Sequence, residues 1–276
     1  MDSAAPKRVA REAEQSIPLR ALARGGYAAN GVVHILIGVI AVAVAFGGDG
    51  ATDQSGALMV IAAVPLGFLG LWIIAILLCA LGVWQVLEGI LAPSPTDDAQ
   101  GIARMWGLRI GAWGQSAIFI GLGVIAGSVA LGARIDTEEA VEGASRGLLS
   151  IPGGPVVLVL VGVGIGIGGI AFIAMGARRS FRSKITIPEH GFGRNLAGLG
   201  VVGFIAKGVA LVIVGLLLVV AALNDDADTA GGLDGALKAL LALALGPWLV
   251  GVVAIGFIAY GMFCLFRARY ARLAAA

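Results

Sequence analysis

Six long apolar runs, near residues 27–46, 64–91, 108–131, 154–175, 197–222 and 246–266, constrain this chain more than any other feature. Each can cross a hydrocarbon core, which takes about 20 residues of helix at roughly 1.5 Å rise per residue. In lipid every backbone N–H and C=O needs an internal partner, so the runs read as helices; a β-barrel would show alternating segments of about 10 residues. The fourth run does alternate, in VGVGIGIGGI, but its full length decides for a helix. Composition agrees, with 59% apolar residues, 13% charged and a mean hydropathy of +0.97. Soluble domains have about 45–50% apolar and 25% charged residues.

The connections carry the orientation, because cytoplasmic segments are enriched in Lys and Arg. On one side stand Lys7, Arg8, Arg11, Arg20, Arg24, Arg104, Arg109, Arg178, Arg179, Arg182, Lys184, Arg194, Arg267, Arg269 and Arg272. The other side has only Arg134, Arg146 and Lys238, among ten acidic residues. Fifteen against three predicts both termini in the cytoplasm. An AVA triplet at 41–43 imitates a signal-peptide cleavage site, but the run is longer than an h-region of about 7–15 residues and follows a mixed-charge segment. A retained helix is expected. Cys79 and Cys264 lie inside apolar runs and read as small packing residues, not as a disulfide or zinc site. Arginine-over-lysine usage and abundant Ala, Gly and Val point to a GC-rich genome and a bacterial plasma membrane. The small net charge gives no reason to expect a nucleic-acid partner.

The runs repeat in pairs. RGGYAANGVVHILIG from Arg24, RIGAWGQSAIFIGLG from Arg109 and VVGFIAKGVALVIVG from Val201 align Gly26 with Gly111 and Gly203, and Gly38 with Gly123 and Gly215. The same register aligns Asn30, Gln115 and Lys207. In the second halves Gly56 matches Gly235, Gly67 matches Gly246, and Gly82, Gly169 and Gly261 fall together. Each unit holds two helices, so successive units enter the membrane in the same direction and an axis along its normal can relate them. The expected fold is all-α, a pseudo-threefold bundle of six transmembrane helices in three tandem hairpin repeats. The segments are an N-terminal stretch 1–23, repeats at 24–92, 104–176 and 194–267, and a tail 268–276.

The R-G-Y-A-x-x-G-V-V-x-x-x-I-G entry, the D-x-x-G-A-L outer segment and the G-x-x-x-G-V-A-L-V-I-V-G form of the third repeat resemble the bacterial membrane family catalogued as domain of unknown function 1206. The resemblance covers about residues 20 to 270. It implies three two-helix repeats in a membrane and no particular chemistry. The family's usual aromatic after the paired valines is His34 here.

Small residues let helix backbones approach closely in lipid, so Gly38, Gly123, Gly127, Gly162, Gly166 and Gly215 are expected at helix contacts. Gly164, Gly166 and Gly169 also satisfy G-x-G-x-x-G, but inside an apolar span this is no dinucleotide fingerprint. Asn30, Gln115 and Lys207 form a candidate polar layer, with His34 one turn from Asn30 on the same helical face. Against that reading stands a Lys207 that snorkels its ammonium to the interface, and a His34 that merely bonds a neighbouring helix. Arg178, Arg179, Arg182 and Lys184 are candidate contacts for anionic lipid headgroups, although ordinary positive-inside bias also accounts for them. DDAD at 225–228 reads as a solvated acidic turn, and GALKALLALAL after it as a short interfacial helix.

The histidines are His34 and His190, and no H-E-x-x-H, P-loop or G-x-S-x-G is present. We therefore expect no catalytic residue, metal site or cofactor. The expected role is non-enzymatic, structural or partner-binding, with the lipid bilayer and an unidentified protein as partners. The alternative is a small-solute or ion permease that uses Asn30, Gln115, Lys207 and His34.

Overall fold

A computed structural model describes residues 4–92, 99–185 and 191–271. Six of its helices are long and apolar enough to cross a membrane: α2 (Ile17–Ala45), α4 (Gly67–Leu91), α5 (Ala99–Ala130), α7 (Gly154–Ala177), α8 (Gly191–Asn224) and α10 (Gly246–Tyr270). An amphipathic helix α1 (Ala4–Gln15) precedes them, in a segment for which the sequence pattern predicted no structure. Its Ala10 and Glu14 are buried, and it packs beside the last turns of α4. Pro18 in the first turn of α2 fits a helix start, where no N–H is needed. The fold is the three-repeat membrane bundle that the apolar runs and their register implied.

Each repeat inserts a short helix between its two spans: α3 (Gln54–Ala62), α6 (Thr137–Leu149) and α9 (Gly232–Leu241). Asp53 and Asp136 cap α3 and α6 by accepting from backbone N–H groups of the first turn. After each short helix the chain turns back at Gly67, Gly154 or Gly246, where a Cβ would lie within 2.0 Å of the carbonyl oxygen of Ile61, Leu148 or Leu241. Glycine is obligatory at that turn in all three repeats. The short helices are joined across repeats. Asp234 of α9 accepts from the Thr52 backbone N–H at 2.6 Å and from its hydroxyl, while Lys238 bridges Asp234 at 2.9 Å and Glu138 of α6. One chain of polar contacts thus closes the end of the bundle opposite the termini.

The closest helix pairs lie between repeats, not within them: α4 with α5, α7 with α8, and α10 with α2, which joins the third repeat to the first. The aligned glycines explain this. A Cβ on Gly261 would lie 2.5 Å from the Gly31 carbonyl oxygen, and one on Gly169 2.6 Å from that of Gly208. At the equivalent place a Cβ on Gly82 would collide with Ile120 and approach the Ser116 carbonyl. Two turns away Gly38 meets Ala254, Gly123 meets Ala75 and Cys79, and Gly215 meets Gly162 and Gly166. The contact residues occupy identical repeat positions, so the pseudo-threefold relation reaches to individual backbone atoms. Gly127 keeps ordinary van der Waals distance from α4, and Gly166 presents its backbone to Gly215 while its own Cβ direction is open.

Within repeats the contacts differ. Gly26 packs on Leu77 and Leu81 in repeat one, and Gly203 on Tyr260 in repeat three. In repeat two α5 and α7 make no extended contact along their lengths. Only 17% of α7 and 28% of α5 is buried over their most apolar 18-residue stretches, against 56% of α10. The ring is therefore a C, with a seam between α5 and α7.

Candidate functional site

Polar groups of the spans collect in the half of the bundle nearest the termini. The three aligned polar residues do not meet on one axis; each reaches across one of the three tight helix pairs. Asn30 Nδ2 donates to Cys264 Sγ at 3.4 Å across α2 and α10. Gln85 Nε2 donates to Gln115 Oε1 at 3.0 Å across α4 and α5. The Lys207 ammonium lies 5.5 Å from the Phe172 ring centroid across α8 and α7. Cys264, Gln85 and Phe172 each stand three residues after the aligned glycines Gly261, Gly82 and Gly169. The same backbone contact therefore seats a different polar or aromatic pair in each interface.

Lys207 departs from that symmetry by reaching inward. Its Nζ lies 3.1 Å from His34 Nε2 and 4.4 Å from the Tyr260 ring centroid. His34 Nδ1 lies 2.8 Å from the Asn30 carbonyl oxygen, which can only accept. Nδ1 therefore carries the proton, Nε2 presents a lone pair, and Lys207 is the donor. Lys207 does not snorkel. It is tied to α2 by a histidine and to α10 by a cation–π contact.

A second cation lies two turns towards the termini. Arg267 of α10 donates from Nη2 to the Tyr27 hydroxyl at 2.9 Å, and its guanidinium lies 4.1 Å over the Tyr27 ring. Its Nε–H is buried without an acceptor. Among the described residues no carboxylate lies within ion-pair distance of Lys207 or Arg267. Glu88, on α4, accepts from Trp84 Nε1 at 3.3 Å. Arg267 borders a cavity of about 40 Å³ whose wall also includes Gln115 of α5, Phe172 and Met175 of α7, Phe204 of α8, and Tyr260 of α10. The space is large enough to admit water. Its residues come from both sides of the α5/α7 seam.

Among the other predicted contacts, Arg178, Arg179 and Arg182 are exposed at the end of α7 and in the 3-10 turn Ser180–Lys184 that follows it. The side chain of Lys184 and the whole of His190 lie outside the described residues. Tyr27, Gln85, Tyr260, Cys264 and Arg267 are site residues that the sequence reading missed. Cys264 reads as a packing residue and Arg267 as one more basic residue of the tail; extending the repeat register three positions past Gly82 and Gly261 finds Gln85 and Cys264. Among the described residues no three His, Cys, Asp or Glu side chains gather in one place.

The model of the family described as Domain of Unknown Function (DUF1206) matches the chain three times, at residues 25–92, 110–179 and 202–271. A relative from Bacillus subtilis (strain 168), named "Uncharacterized protein YxxB", is 29% identical over 257 residues, 91% of each chain. No solved structure matches.

Proposed function

The chain belongs to the Domain of Unknown Function (DUF1206) family, and we propose that it acts in a bacterial plasma membrane, both termini cytoplasmic, as a non-enzymatic protein that binds a ligand or partner at a blind polar site. The distribution of polarity along the spans carries this reading. Residues 35–45, 67–78, 117–127, 154–171, 208–223 and 246–259 contain no charged or amide side chain. A permeation path needs polar groups or water along its length. Here the polar groups stop near Lys207, and the Thr52–Asp234–Lys238–Glu138 chain ties the far end together. The basic bias of the terminal side supports the orientation, and the Bacillus relative supports a bacterial setting.

The permease reading draws its support from Lys207, which faces His34 inside the bundle. Proteoliposomes separate the two. The blind-site reading expects no flux of potassium, chloride, protons or glycerol-sized solutes above empty vesicles, for wild type and Lys207→Met alike. Crosslinking from the cytoplasmic half in native membranes is expected to trap a reproducible partner or ligand. Flux that Lys207→Met abolishes would replace this reading with the permease.

A further inference from the structure

The three tight helix pairs serve as standards for one another, and they differ at their ends nearest the termini. The position of Ala28 on α2 is Trp113 on α5 and Ile205 on α8; that of Ala268 on α10 is Gly89 on α4 and Gly176 on α7. In α4/α5 the Trp113 indole lies over Gly89, where a Cβ would collide with it. In α7/α8 a Cβ on Gly176 would lie 3.0 Å from Ile205 Cγ1. A large side chain on one helix thus fills the end of both pairs. In α2/α10 the two positions are both alanine, while the close contact of Gly261 with the Gly31 backbone holds the helices together beside them. What remains is an open cleft of about 570 Å³ whose walls include Ala28 and Ala268.

The same cleft is lined by Arg24 of α2 and by Arg269, Tyr270 and Leu265 of α10. The position of Arg269 is Ile90 on α4 and Ala177 on α7, so two arginines at this end are particular to α2/α10. Both are exposed, and among the described residues no carboxylate lies within ion-pair distance of either. Guanidinium groups bind phosphate oxygens in paired, charge-assisted hydrogen bonds, and tyrosine favours the headgroup level of a bilayer. Leu265 stands one turn deeper, at the end of the apolar run, and is 38% exposed. From end to end the cleft therefore runs from cations and a phenol, over a floor of small residues, to an exposed aliphatic side chain. A phospholipid has that order of polarity from phosphate to acyl chain, whereas a soluble anion would use only the first part. We infer that the α2/α10 cleft is a binding site for an anionic phospholipid, with its phosphate between Arg24 and Arg269 and an acyl chain against Leu265. This goes beyond the blind polar site and rests on that reading only for the leaflet, which the proposed orientation makes the inner one.

The test uses the full chain in neutral detergent, titrated with phosphatidylglycerol, phosphatidylcholine or glycerophosphate, with the first bound molecule read by native mass spectrometry. Phosphatidylglycerol is expected to bind at least about tenfold more tightly than phosphatidylcholine, which has no net charge, or glycerophosphate, which has no acyl chain. Ala28→Trp/Ala268→Gly rebuilds the filled pair of α4/α5 and is expected to weaken phosphatidylglycerol binding at least about tenfold without lowering the melting temperature. Arg24→Gln/Arg269→Gln is expected to weaken it as much while leaving the floor of the cleft intact. If the filled variant melts early, the arginine variant, whose side chains are exposed, decides alone. Arg178→Gln/Arg182→Gln, in the other basic patch of the same face, is expected to leave the affinity within about twofold. Equal binding of phosphatidylcholine, unchanged affinity in the arginine variant or in a stable filled variant, or loss of binding in Arg178→Gln/Arg182→Gln overturns the site. Equal binding of glycerophosphate reassigns the cleft to a free anion and rejects the lipid. Lipid binding and flux are measured independently, so this inference and the blind-site reading fail separately.

Discussion

At the scale of single residues, energy is concentrated in polar groups that find a partner on another repeat. Lys207 and His34 are such a pair, at 3.1 Å. Removing either leaves a buried donor or acceptor unsatisfied, whereas removing both does not. Lys207→Met and His34→Phe should each lower the unfolding temperature, and the double variant should recover most of it. A double-mutant cycle is expected to give a coupling of about 1–2 kcal/mol. No coupling would mean that the contact carries no energy. Asp234, at the opposite end, answers to pH. Although burial opposes ionisation, the hydrogen bonds from Thr52 and Lys238 hold its carboxyl below the usual value. Lys238 is raised by Glu138 and Asp234, and Glu138 is raised chiefly by its own burial. A depressed carboxyl contributes stability that is complete above its unfolded pKa, near ~3.9, and lost as pH falls through the lower folded value. The raised Lys238 contributes below its unfolded pKa of ~10.4 and fades above it; Glu138 works the other way, relieved on acidification. Asp234→Asn should therefore cost about 1–3 kcal/mol at pH 7, with the difference from wild type shrinking below about pH 4 in melts across that range.

At the scale of elements, the glycines divide into those that hold helices together and those that hold nothing. Gly169→Ala places a Cβ 2.6 Å from the Gly208 carbonyl oxygen, a backbone atom that cannot swing aside. Overpacking of this kind costs about 1–3 kcal/mol, and the variant should melt measurably earlier in detergent. Gly164→Ala, five residues along the same helix, meets nothing within 4 Å and should change stability by no more than about 0.5 kcal/mol. Equal melts for the two variants would contradict the division. The sequence did not separate these classes. Both show small residues at spacing four, and which row faces a partner depends on where the next helix lies. The spans themselves were legible because lipid demands a long apolar helix, and five of the six extend beyond the apolar run at one end or more. The short helices α3 and α6 were not legible, since at 9 and 13 residues their hydrophobic pattern is overridden by packing on neighbours.

At the scale of the whole molecule, the proposed orientation makes a direct prediction. A cysteine introduced at Asp225 should react with a membrane-impermeant maleimide added outside intact cells, and one at Arg178 only after permeabilisation. The reverse pattern would invert the protein and place its polar site in the outer leaflet. The number of membrane spans, the threefold register and the charge asymmetry lie in the amino-acid sequence alone, because each follows from transfer of residues between water and lipid and needs no knowledge of neighbours. The repeat register even named Asn30, Gln115 and Lys207 as one recurring position. Only the tertiary structure decided that this position serves three separate interfaces, that the tight pairs join different repeats, and that α5 and α7 stand apart. Those outcomes depend on which backbone meets each glycine and which side chain fills the gap. That is a property of pairs of helices, written on neither helix by itself.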